Sequence, residues 1–149
     1  MRQKLYPPAG PLRTADVVVR HVRPEALKDT PRVLLAITGS VRLDLPPGID
    51  WLPGALADHL TSSGGALDGG HGQSTVLEWI ASGATASHGS VSEPCNHLQK
   101  FPHPALLLQH YVRGSTAIEA YWKSVAWPQQ SLFVGEPLAA PFAAPFTAR

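Results

Sequence analysis

The sequence predicts a partial three-layer α/β domain, with about four helices on a mostly parallel sheet of three to four strands. Three observations carry this expectation. Residues 32–38 (RVLLAIT) form a short unbroken apolar run closed by Gly39, as expected of a strand covered on both faces. Residues 131–135 (SLFVG) repeat that signature near the end of the chain. Segments of helical period lie between them, and strands that alternate with helices build layered α/β structures.

Taken in order, residues 1–31 read as an irregular, basic lead-in broken by Pro7, Pro8 and Pro11. Within it, 16–22 (DVVVRHV) suits an edge strand, and 25–28 is at most one helical turn. After the first buried strand, Pro46-Pro47-Gly48 opens a loop. Pro53 then fits a first helical position, with Ala55, Leu56, His59 and Leu60 at helical spacing, so the pattern predicts a helix over 53–60. A second helix is expected from Thr75, where Thr75 and Glu78 have capping-box spacing, to a stop at Gly83. The small residues of 84–91 (ATASHGSV) suit a strand or extended loop beside a close neighbour. A third helix, apolar almost all round, is predicted over 104–113, and a fourth opens on Thr116 and Glu119. The α/β domain thus spans 32–142. A tail over 143–149, echoing AAPF, reads as disordered.

Composition narrows the function classes. The formal net charge is +1, so no global field favours nucleic acid. Residues 1–32 hold seven basic side chains against three acidic, but these are scattered among prolines without aromatic interleaving, and no nucleic-acid partner is expected. No run approaches the length of a membrane span, and the first residues lack the apolar core of a signal peptide. The compartment is left open, because an export signal could lie upstream. A single cysteine excludes an intrachain disulfide framework. Charged residues make up only 15% of the chain, a low share that suits a surface covered by something else.

Four segments carry a family likeness: PGALADHLTSSGG (53–65), GATASHGSVSEPCNH (83–97), QKFPHP (99–104) and EAYWKSVAWPQQSLFVGEPLAAPF (119–142). Together they resemble the C-terminal region of a family of uncharacterised bacterial proteins more than twice this length. The resemblance implies that an N-terminal half is missing, and that this half or a partner chain covers the sheet edge. More distantly, the order of elements and the Gly135-Glu136-Pro137 end resemble the caspase–gingipain fold of cysteine peptidases. In those enzymes a His-Gly pair follows one strand and the nucleophilic cysteine follows the next. Here GSVRLDLPPG follows RVLLAIT and holds no cysteine. His71-Gly72 and His88-Gly89 carry the dipeptide, but neither is expected to follow a buried strand of the required kind.

Reactive side chains are densest over 87–97, and three readings compete there. In the first, the chain is a cysteine-dependent hydrolase with Cys95 as nucleophile and His97 or His59 as base, because a thiolate needs a nearby imidazolium or helix N-terminus. The plain alternative is a buried thiol acting as a small hydrophobe. In the second, Cys95, His97 and His88 are part of a zinc site. Only one closely spaced ligand pair is present, so no metal or other cofactor is expected. In the third, Asp58, His59, Ser62, His88 and Glu93 line a ligand pocket at the carboxyl ends of the strands, where α/β folds place such pockets. That third reading, structural or ligand-binding and without catalysis by this chain alone, is the one expected. Gly64-Gly65 and Gly69-Gly70 lack the lysine of a phosphate loop.

Overall fold

The computed structural model describes residues 2–94 and 96–145. The lead-in folds as 3-10 turns and a small antiparallel pair, β1 (Gly10–Pro11) with β2 (Val18–Val19). The edge strand expected over 16–22 thus shrinks to two residues, which pair with the lead-in itself and not with the main sheet.

The main sheet has four strands, β3 (Val33–Thr38), β4 (Trp51–His59), β5 (Ala86–Ser90) and β6 (Ser131–Gly135), side by side in that order. The β3–β4 and β4–β5 pairs are parallel, and β6 runs antiparallel to β5. Among the described residues three α-helices accompany it: α1 (Val76–Ala81), α2 (Pro104–Val112) and α3 (Ala117–Ser124). The chain is therefore an α/β protein.

The main correction concerns 53–60, which is not a helix. It lies within β4, the longest strand, which runs between β3 and β5. Ala55 to His59 are all buried, so side chains on both faces are covered and the alternation that reveals a strand is lost. Pro53 is tolerated because the register slips there. Val33 pairs with Trp51, but Leu35 pairs with Leu56, which leaves Pro53 and Gly54 in a bulge. Gly54 sits in that bulge at φ +83, a conformation that suits glycine.

Two apolar clusters form around the sheet. Leu34, Leu56 and Ala86 pack with Leu107 and Tyr111 of α2 and Ala117, Ala120 and Tyr121 of α3. Val33, Ala36 and Ala57 pack with Trp79 of α1, Ile49 and Ala84. Successive strand residues point to opposite faces, so Leu56 and Ala57 assign the two clusters to opposite sides of the sheet.

Helix ends follow the sequence in three of four cases. Thr116 and Glu119 form the expected capping box. Glycines at positive φ, Gly83 and Gly114, follow α1 and α2. Thr75 caps α1 without a side-chain bond, because Glu78 instead accepts the Ser74 hydroxyl at 2.8 Å.

The last strand also differs from expectation. SLFVG is an edge strand in which Leu132 is 37% exposed, so it is not a buried interior segment. At the other edge, β3 pairs with no further strand among the described residues. That edge lines a groove of about 1310 Å³. Val17, Leu52 and Phe142 line the groove from one cluster, and Leu27, Leu43 and Leu45 from the other.

Candidate functional site

The buried polar residues gather where β4 and β5 end. Asp58, His59, Thr61, Ser62 and Ser63 continue from β4, while Ser87, His88 and Ser90 belong to β5, and all are at most 3% exposed. Two glycines draw the segments together. The Gly65 N–H donates to the Ser90 carbonyl at 2.8 Å, and a Cβ on Gly65 would stand 2.3 Å from the Gly89 oxygen. A Cβ on Gly89 would meet the Gly65 nitrogen at the same distance. Only glycine permits this approach.

Asp58 and His88 are register partners on the adjacent parallel strands β4 and β5. The Asp58 Oδ2 and His88 Nδ1 atoms are 3.5 Å apart, with both side chains almost wholly out of solvent. The pair is within ion-pair range, but neither atom makes a hydrogen bond, and neither do His88 Nε2 and Ser90 Oγ. The His88 ring stacks on Tyr121, 5.5 Å between centroids and 12° between planes, and meets the edge of Trp122 at 5.7 Å. Burial pushes the Tyr121 hydroxyl well above its usual range, with the Asp58 charge adding to the effect. That hydroxyl donates to the Ala57 carbonyl at 3.2 Å. His88-Gly89 does not follow a strand but lies inside one, β5, where every residue is buried, in line with the strand or extended loop expected over 84–91. His71-Gly72 sits in an exposed 3-10 turn.

His59 is held on the other side of the sheet. Trp79 of α1 donates its indole N–H to His59 Nδ1 at 3.1 Å, so the neutral ring carries its proton on Nε2 and donates it to the Ser74 carbonyl at 2.8 Å. Both nitrogens are engaged. As placed, His59 anchors α1 to the end of β4 and has no lone pair left for a thiol.

Ser62, fully buried, meets the exposed Glu93. Ser62 donates to Glu93 Oε1, and the Gln73 amide donates to Ser62 Oγ at 3.0 Å and to Glu93 Oε1 at 3.3 Å. Gln73 Oε1 accepts the Ser63 N–H at 3.0 Å. Of the five expected pocket residues, the fold therefore brings Asp58 to His88 and Ser62 to Glu93, and turns His59 away toward α1. Sequence reasoning missed Gln73, Ser90 and Tyr121. The two polar residues carried no motif, and the aromatic looked like core.

Cys95 lies outside the described residues. His97 is exposed, its ring 5.5 Å from Trp127, whereas His88 is fully buried. No group of three or more His, Cys, Asp or Glu among the described residues is placed to hold a metal ion. Nor does any helix among them have the length and apolar character to cross a membrane. Comparison with protein-family models, curated proteins and solved structures gives no match for this chain.

Proposed function

We propose that this chain is the C-terminal portion of a three-layer, caspase–gingipain-like α/β domain of the bacterial family described above. Its own contribution is structural and ligand-binding: it supplies four strands and one wall of a polar pocket, and does not catalyse a reaction alone. The observation that carries this reading is the edge of β3. The strand is apolar along its length, has no partner on its far side among the described residues, and borders a groove with apolar lining from both clusters. Natural domains rarely leave such an edge uncovered. A strand from an N-terminal half, or from a partner chain, would lie beside β3 and be covered on both faces, as parallel strands usually are.

The placement of α1 on one face and of α2 and α3 on the other supports the three-layer reading. Asp58 and His88, at the carboxyl ends of parallel strands, support the pocket. Size-exclusion chromatography of the isolated chain tests the proposal. It predicts self-association or an expanded species, driven by the unpaired edge of β3. A compact, monodisperse monomer at all concentrations contradicts it.

A further inference from the structure

We infer that Asp58 is a positioning residue for His88, fixing the neutral imidazole with its proton on Nδ1 and leaving Nε2 as the pocket's bare hydrogen-bond acceptor. The use of that acceptor rests on the pocket reading above, but the tautomer itself does not.

Parallel pairing puts Asp58 and His88 opposite one another, and the nearest approach of the two side chains is Oδ2 to Nδ1, at 3.5 Å. A carboxylate has only lone pairs to offer, so the facing nitrogen is the one that carries hydrogen. Ring stacking on Tyr121 and the contact with Trp122 hold the imidazole plane, and a ring flip would put the Cδ2 carbon, not a nitrogen, against the carboxylate. In the neutral ring, Nε2 is then the acceptor, and it is buried without a partner. Ser90 lies two residues further along β5, on the same strand face, and its hydroxyl is likewise buried and unpartnered. His59 is the internal contrast, because Trp79 and Ser74 impose the opposite tautomer.

Nitrogen-15 correlation spectra of the uniformly labelled chain at mildly alkaline pH decide the matter. His88 should show a pyrrole-like Nδ1 and a pyridine-like Nε2, and His59 the reverse. Replacing Asp58 by leucine, which keeps the approximate size but offers no acceptor, should release His88 from the Nδ1-protonated tautomer and leave His59 unchanged. A wild-type His88 protonated on Nε2 overturns the inference, as does an Asp58→Leu chain in which the His88 tautomer stays put. If that variant does not fold, the wild-type spectrum alone is decisive. None of these outcomes depends on whether β3 acquires a partner, so this inference and the half-domain proposal can fail separately.

Discussion

Gly65 and Gly89 touch backbone to backbone, the first just beyond β4 and the second within β5, so closely that neither position has room for a methyl group. This contact closes the loop after β4 onto the neighbouring strand and sets where Ser62 and Ser63 lie. Gly65→Ala or Gly89→Ala should each destabilise the fold by about 2 kcal/mol or more, as overpacking does. Chemical denaturation checks this. Gly39→Ala, where nothing lies within 4 Å of the added carbon, is the control and should stay close to wild type.

The indole N–H of Trp79 is the donor that settles His59. Trp79→Phe keeps an aromatic ring but leaves a buried nitrogen unpaired, a loss of about 1–3 kcal/mol. Thermal melts should show the drop.

Alkaline pH offers a third test. Burial raises the hydroxyls of Tyr111 and Tyr121 above the usual value near 10. A group whose folded value is raised contributes stability that is complete below the unfolded value and is lost as pH rises toward the folded one. Stability should therefore fall as pH climbs past about 10. Tyr121→Phe should flatten that decline at the cost of the bond to the Ala57 carbonyl, and urea unfolding across the range would show both effects.

The capping box of α3 works in the opposite sense. Hydrogen bonding from the Thr116 backbone, then the Thr116 side chain and the charge of Lys123, holds the Glu119 carboxyl below its usual value. A lowered carboxyl stabilises the fold above its unfolded value, and the contribution disappears as pH falls through the folded one. Glu119→Gln should therefore matter near neutrality and little in acid. Melting curves at the two pH values check this.

Much of this architecture was legible in the sequence. RVLLAIT reads as a strand because nothing in it breaks the apolar run, and α3 reads clearly because Thr116 and Glu119 mark its start. β4 was misread because its buried segment, Ala55 to His59, does not alternate, while Pro53 and the spacing of Leu56 and Leu60 imitate a helix. The sequence places Asp58 and His88 in one pocket, but a helical Asp58 has no register partner, so their pairing across two strands stays hidden. Nor does the sequence show that Trp79 reaches His59, because the contact depends on how α1 packs against the sheet. The edge position of SLFVG was equally hidden: its composition suits burial, and only the strand order places it at the rim.

The most direct test of the half-domain account is residue-by-residue amide hydrogen exchange across β3 and β4. The account predicts that amides of Val33–Thr38 facing β4 are protected, while those facing the groove exchange nearly as fast as unstructured backbone. The amides of β4 should be slow throughout its buried segment. Uniform protection along both edges of β3, equal to that of β4, would mean the strand needs no further neighbour and would contradict the account.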